Sequence, residues 1–140
     1  MAEMTQSDIE AFLNAPRHAI LATSRTDGSP QLSPVWYLYE DRCLYISVLA
    51  HSAKLKNLRR DPRLGFCVDG GPEDVRTVMM YGQAEILETD HPQETEMKWR
   101  ITRHYHETEA EARQYAEATR HHKSALLIVQ PHTLISQEFN

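Results

Sequence analysis

The sequence predicts an α+β domain, mainly β, built on a six- or seven-stranded antiparallel barrel with short flanking helices. Three observations lead to this fold class. Short runs of β-forming residues recur along the chain and are joined by tight turns. Gly82 interrupts the longest run, as expected at a bulge or at a bend in a barrel. Helical patterns are confined to a few inserts, and with no repeat or interior linker, residues 1–140 are expected to form one domain.

The elements are predicted from capping, turn and alternation patterns. Ser7 and Glu10 have the spacing of a capping box, so a short helix is expected to end before Pro16. An Asp-Gly turn joins the first two β runs and predicts a hairpin. The other strands are predicted from their β-branched and aromatic residues. In order, the predicted strands are 18–24, 30–40, 43–49, 63–69, 75–88, 124–131 and 132–139.

Two helical inserts separate these strands. A short helix is predicted over 52–60, because Pro62 closes it. A second helical region is expected to begin with Asp90 as N-cap and to extend to about Arg120 as one or two surface helices.

Composition and charge limit the functional classes. The 140 residues carry a formal net charge of -5, with 41% hydrophobic and 25% charged residues, as is usual for a globular domain. No run approaches the roughly 18 apolar residues of a membrane span, and residues 1–13 lack a signal-peptide pattern, so a cytoplasmic protein without membrane partners is expected. The acidic balance argues against general nucleic-acid binding. Cys43 and Cys67 lack metal-binding spacing and are expected to be buried free thiols.

The stretch 50–63 carries the main functional signal, with five basic side chains and one acid. Ser52 is placed to cap the helix, which puts Lys54 in the first turn, where the helix dipole disfavours a cation. A bound phosphate would resolve this conflict, because backbone N–H groups, the Ser52 hydroxyl and the Lys54 ammonium converge on it. A solvated surface helix has the same charge pattern, and Asn57 could equally brace a neighbouring loop.

Three longer stretches resemble one protein family. They are HAILATSRTDGSPQLSPVWYLYEDRCLYISV, AKLKNLRRDPRLGFCVD and VMMYGQAEIL, in that order. The order resembles that of the flavin- and deazaflavin-dependent oxidoreductases related to pyridoxamine 5′-phosphate oxidase. The similarity covers residues 16–88, with a weaker match in LLIVQPHTLIS. It implies a six- or seven-stranded antiparallel split β-barrel.

The resemblance also implies a homodimer with two cofactor sites at the subunit interface. The ring of FMN, or alternatively of the deazaflavin coenzyme F420, would lie along Leu32–Trp36, with its phosphate at Ser47 and Lys54. Met79–Gln83 would reach across from the second subunit. Ser52 stands where many relatives have arginine, which removes one bidentate phosphate contact. The cofactor-binding residues implied are Ser33, Pro34, Val35, Trp36, Ser47, Ser52, Lys54, Asn57, Met79 and Gln83.

Two functional classes are compatible with this site. The first is an oxidoreductase that transfers hydride between the cofactor and a small organic substrate. The second is a flavin or pigment carrier without turnover, because the same lysine would serve both. Single-stranded nucleic-acid binding by the basic helix is a third, weaker interpretation. Trp36 and Tyr37 are expected to pack in the core or an interface rather than against a ring.

Metal and acyl-transfer chemistry have no support in the sequence. The pairs His104 with His106 and His121 with His122 lack the i, i+4 spacing of helical ligands, so no metal site is expected. No nucleophile motif is present, and no residue is assigned a catalytic role.

Overall fold

The computed structural model describes residues 2–138. In it the chain forms a curled antiparallel sheet flanked by helices. The helices are α1 (Gln6–Asn14), α2 (Ala53–Arg60), α3 (Pro92–His104) and α4 (Glu109–Ala118). The strands are β1 (Ala19–Ser24), β2 (Pro30–Val35), β3 (Leu38–Glu40), β4 (Cys43–Leu49), β5 (Arg63–Asp69), β6 (Thr77–Leu87), β7 (Ser124–Val129) and β8 (Thr133–Gln137). Neighbouring strands follow the order β2-β1-β5-β6-β7-β4-β3, and β8 pairs with β6.

The predicted α+β, mainly β class is confirmed, and the described residues contain eight strands. The predicted strand 30–40 is divided into β2 and β3, because the chain leaves the ladder at Trp36 and Tyr37. This division lets β2 pair with β1 while β3 pairs with β4 in the other half of the sheet. Phe139, at the predicted end of the last strand, lies outside the described residues.

β6 joins the two halves of the sheet because it pairs with both. Up to Gln83 it pairs with β5 and β8, and from Ala84 onward it pairs with β7. The change of partner falls next to Gly82, where the sequence predicts a bulge or a bend. A Cβ atom added to Gly82 would stand 2.9 Å from Val129 Cγ1 and 3.3 Å from the Gln130 carbonyl oxygen. The close approach of the end of β7 therefore requires glycine here.

Apolar side chains fill the curled sheet, and α1 contributes to this core. Its buried residues are Ile9, Phe12 and Leu13. The capping box predicted at Ser7 is wrong, because the helix already begins at Gln6. Thr5 is the N-cap, and its hydroxyl accepts a hydrogen bond from the Asp8 N–H at 3.1 Å.

The second helical region forms two helices, α3 and α4, packed against each other. The predicted N-cap at Asp90 is wrong, because His91 occupies that position and its Nδ1 accepts from the Gln93 N–H at 3.1 Å. Asp90 lies in the preceding turn with φ of 70° and donates its N–H to the Glu94 carboxylate at 3.2 Å. The cap predicted at Ser52 is confirmed.

Within residues 2–138, no helix combines the length and apolar character that a membrane crossing requires. The same residues hold no cluster of three or more His, Cys, Asp or Glu side chains arranged for a metal ion.

We predict that Gly82→Ala lowers the free energy of unfolding by about 1–3 kcal/mol, because its Cβ would overlap the end of β7. The matched control is Gly65→Ala in β5, whose Cβ would meet a Tyr81 ring carbon at 3.4 Å, an ordinary contact. Urea unfolding of both variants measures the difference. Equal stability of the two variants would contradict the role given to Gly82.

Candidate functional site

A cavity of about 590 Å³ lies between the sheet and the α3–α4 hairpin. Its sheet wall comes from β2, β4 and the start of β7, and the first turn of α2 contributes at one end. The residues of β2 and β4 that line it are Pro34, Val35, Ser47, Val48 and Leu49, and Trp36, which directly follows β2, lines it as well. A cavity of this size can bury a small organic ligand or a cofactor.

The helical wall comes from one face of α3 and the facing side of α4. On α3, Thr95, Trp99 and Thr102 recur at helical spacing and all line the cavity. Met97 and Ile101 are buried and hold the helix against the sheet. Arg100 donates to the Glu40 carboxylate at 2.8 Å, and this hydrogen bond lowers the pKa of Glu40. α3 is thus anchored by apolar packing and one ion pair to β3.

Tyr105, at the end of α3, fixes one end of the cavity. Its ring stacks on Trp36 with centroids 4.8 Å apart and an interplanar angle of 9°. Its hydroxyl donates to the Arg17 carbonyl at 2.6 Å and accepts from the Tyr37 N–H at 3.2 Å. Burial raises the pKa of Tyr105 to about 12, so the hydroxyl stays protonated near neutral pH. Tyr115 of α4 also contacts Trp36, at 5.4 Å between centroids.

Lys54 lies at the other end of the cavity, in the first turn of α2. The Ser52 hydroxyl accepts from the Leu55 N–H at 3.4 Å and donates to the Leu49 carbonyl at 2.7 Å. This cap ties the helix start to the end of β4. The ion pairs among the described residues leave Lys54 without a carboxylate partner. Its ammonium is therefore available to an anion in the cavity.

The start of β7 approaches this same end. Ser124 pairs with Leu49 across the sheet, and the Ala50 N–H donates to the Lys123 carbonyl at 2.9 Å. Lys98 of α3 donates from Nζ to the His122 carbonyl at 3.1 Å. These bonds bring α3 and β7 to the turn that leads into α2. The cavity thus has an aromatic end at Trp36 and a polar end at the helix start.

The charge of the cavity is opposite to that of the whole chain. The lining side chains that carry or can gain positive charge are His18, Lys54, Lys98 and His122. No carboxylate lines the cavity among residues 2–138, although the chain has a formal net charge of -5. Cations at the rim of a low-dielectric cleft concentrate anions there. The arrangement suits an elongated ligand with a planar apolar body and an anionic end.

Five of the ten predicted cofactor residues line this cavity. They are Pro34, Val35, Trp36, Ser47 and Lys54. Ser52 is the helix cap beside Lys54, as predicted. The expected packing roles are also visible: Tyr37 is buried in the core, whereas Trp36 both packs on Tyr105 and lines the cavity.

The other four predicted residues lie outside the cavity wall. Ser33 is buried in β2. Asn57 is buried too, and its Nδ2 donates to Thr23 Oγ1 and Gln31 Oε1 at 3.1 Å each, which makes it a brace between α2 and the β1–β2 hairpin. Met79 and Gln83 lie on β6.

Sequence analysis did not identify the contribution of α3 and β7 to this site. The lining residues that it missed include Lys98, Trp99, Thr102, His122 and Ser124. The spacing of Thr95, Trp99 and Thr102 was a usable signal, because it marks a second face of α3 beside the buried one. Ser124 gives no such signal, since its position depends on strand pairing far along the chain.

Comparison with known proteins agrees with this architecture. Residues 5–137 match the family model described as pyridoxamine 5′-phosphate oxidase. A conserved hypothetical protein from Mycobacterium tuberculosis is 29% identical, with a TM-score of 0.76 over 96% of this chain and 85% of that one.

Two further solved structures share the fold. An F420 reductase is 20% identical, with a TM-score of 0.69 over 89% of this chain and 94% of that chain. An FAD-binding protein from Mesorhizobium loti is 18% identical, with a TM-score of 0.71 over 99% of this chain and 98% of that one. The family match spans nearly all described residues and shows that the chain belongs to the pyridoxamine 5′-phosphate oxidase family.

Proposed function

We propose that the cavity binds FMN, or alternatively the deazaflavin coenzyme F420, and that the protein is an oxidoreductase acting on a small organic substrate. The observation that carries this proposal is a cavity with an aromatic end at Trp36 and a basic end at Lys54. Both cofactors combine a planar ring with a phosphate-bearing tail. When bound, such a ring supplies the hydride chemistry, and the protein supplies binding and orientation.

The residues at the start of α2 fit a phosphate group. The first N–H groups of a helix lack partners within the helix. In α2, the Leu55 N–H donates to the Ser52 hydroxyl. The N–H groups of Ala53 and Lys54 are therefore left to meet an anion, together with the Lys54 ammonium. This explains why a cation occupies a position that the helix dipole disfavours.

The other end of the cavity fits a planar ring. Trp36 is held rigidly by its stack on Tyr105, so the surface of β2 beside it is preorganised. Pro34 lines the cavity and has no N–H, so it adds no unpaired donor to that wall. We propose that the ring lies along this part of β2, with the backbone of Val35 and Trp36 orienting it.

We also propose that two copies form a homodimer through the outer face of the sheet. Four large apolar side chains on this face are 40 to 66% exposed: Ile20, Leu32, Tyr81 and Ile135. Ile20, Cys67, Met79 and Ile135 occupy successive paired positions across β1, β5, β6 and β8, so they form a continuous row. A contiguous apolar patch of this kind is typical of an interface. It would also place Met79 and Gln83 at the partner subunit.

A cytoplasmic location is part of this proposal. Cys43 and Cys67 are both free thiols, and Cys67 is half-buried in the exposed row. Free cysteines of this kind persist in a reducing compartment.

We predict that Lys54→Met weakens FMN binding at least tenfold, because a charge-assisted hydrogen bond contributes about 1.5–3 kcal/mol. The matched control is Lys56→Met, since Lys56 is exposed on the same helix and outside the cavity lining. Trp36 and Trp99 both line the cavity, so quenching of tryptophan fluorescence follows the titration. F420 is titrated in parallel. Equal affinities of the two variants would contradict the phosphate assignment, and failure of the wild-type protein to bind either cofactor would contradict the proposed function.

Turnover is tested on the wild-type protein loaded with whichever cofactor binds. The bound cofactor is reduced without oxygen, and candidate organic acceptors are then added. Reoxidation that depends on the acceptor is expected of an oxidoreductase. A cofactor that stays reduced with every acceptor would instead indicate a carrier.

We predict that Leu32→Lys converts a dimer into a monomer, because it places a charge in the apolar interface. Val75→Lys is the control, since Val75 is 50% exposed but lies in the loop before β6. Sedimentation velocity measures the oligomeric state. A wild-type monomer, or a Leu32→Lys variant that stays dimeric, would contradict this interface.

A further inference from the structure

Ser124 has a buried hydroxyl without a hydrogen-bond partner. The residue is 3% exposed, and its Oγ has no hydrogen-bond partner among the described residues. Its backbone carbonyl is satisfied, since the Thr89 hydroxyl donates to it at 2.6 Å. Buried polar groups are nearly always paired, so an orphaned hydroxyl calls for a partner from outside the chain.

Ser124 lines the cavity, which distinguishes it from the other residues with orphaned groups. Tyr37 Oη and Glu94 Oε2 are also buried without partners, but neither residue lines the cavity. Tyr37 lies in the core, and the other oxygen of Glu94 accepts from the Asp90 N–H. Of these three orphaned groups, the hydroxyl of Ser124 is therefore the one that belongs to a residue of the cavity wall.

Ser124 lies beside the start of α2. It pairs with Leu49, the last residue of β4, and the neighbouring Lys123 carbonyl accepts from the Ala50 N–H. The turn from Ala50 to Ser52 then leads directly into the helix. Ser124 and Lys54 of the first turn of α2 thus border the same end of the cavity.

Lys98 adds a second cation to this end of the cavity. Its Nζ donates to the His122 carbonyl at 3.1 Å, which holds the ammonium next to the start of β7. An ammonium has three N–H donors, so two remain for a ligand. Glu94 lies one helical turn before it but forms no ion pair with it, and the described residues offer Lys98 no other carboxylate within 4 Å.

We propose that Ser124 and Lys98 complete the phosphate site of Lys54, and that this site selects a terminal phosphate monoester over a phosphodiester. The inference rests on the proposed function and concerns the same cavity. A monoester carries close to two negative charges at neutral pH, whereas a diester carries one. Two ammonium groups and a helix N-terminus match the doubly charged group, and the Ser124 hydroxyl donates to one of its oxygens.

The test compares three ligands that share one ring: FMN, its phosphate methyl ester and riboflavin. The wild-type protein is expected to bind FMN at least tenfold more tightly than the methyl ester. Ser124→Ala is expected to weaken the binding of FMN about tenfold and to leave the affinity for riboflavin unchanged. Lys98→Met is expected to reduce the preference for FMN over the methyl ester. Lys123→Met is the matched control, because Lys123 is exposed and outside the cavity lining.

A second readout uses the ligand-free protein. Ser124→Ala removes the orphaned hydroxyl, so the melting temperature of the variant is expected to rise although FMN binding weakens. A purely structural serine would lose stability and affinity together. A drop in the melting temperature would therefore count against the inference.

Three binding outcomes would overturn the inference. One is equal affinity of the wild-type protein for FMN and its methyl ester. Another is a Ser124→Ala variant that binds FMN as tightly as the wild type does, or one whose affinity for riboflavin falls as much as its affinity for FMN. The third is a wild-type protein that binds F420 but not FMN, which would leave the proposed function intact. Failure to bind any flavin or F420 would instead overturn the proposed function itself.

Discussion

The docking of the α3–α4 hairpin on the sheet is the constraint on which the cavity depends. Tyr105 carries much of it, because one side chain stacks on Trp36 and joins two backbone groups through its hydroxyl. Those groups belong to Arg17, before β1, and Tyr37, between β2 and β3. The ion pair from Arg100 to β3 adds a second attachment. Together with the apolar packing of α3 on the sheet, these contacts fix the distance between the helical wall and β2.

The opposite end of the cavity is defined by electrostatics rather than by aromatic packing. Lys54 of α2, Lys98 of α3 and Ser124 of β7 line this end of the cavity, and each comes from a different part of the chain. The chain as a whole has a net negative charge, so the positive potential is confined to this end of the cavity. The aromatic end of the cavity therefore orients a planar ligand body, while the basic end neutralises the charged tail of that ligand.

Local patterns predicted most strands, the cap at Ser52 and the position of Lys54, because turn chemistry and helix capping act over a few residues. The break in the 30–40 strand was missed, since Trp36 leaves the ladder to meet Tyr105, far away in sequence. The contribution of Ser124 was missed for the same reason. The position of Ser124 in the cavity wall depends on which strand pairs with β4, and local sequence does not determine pairing partners.

The central claim is that an anionic tail binds where α2 begins while a planar ring lies against β2. A crystal structure of the protein with FMN tests it most directly. The account predicts phosphate oxygens within hydrogen-bond distance of Lys54 Nζ and the first N–H groups of α2, with the ring beside Val35 and Trp36. Electron density for FMN on another surface, or a phosphate pointing toward Trp36 with the ring at Lys54, would contradict it.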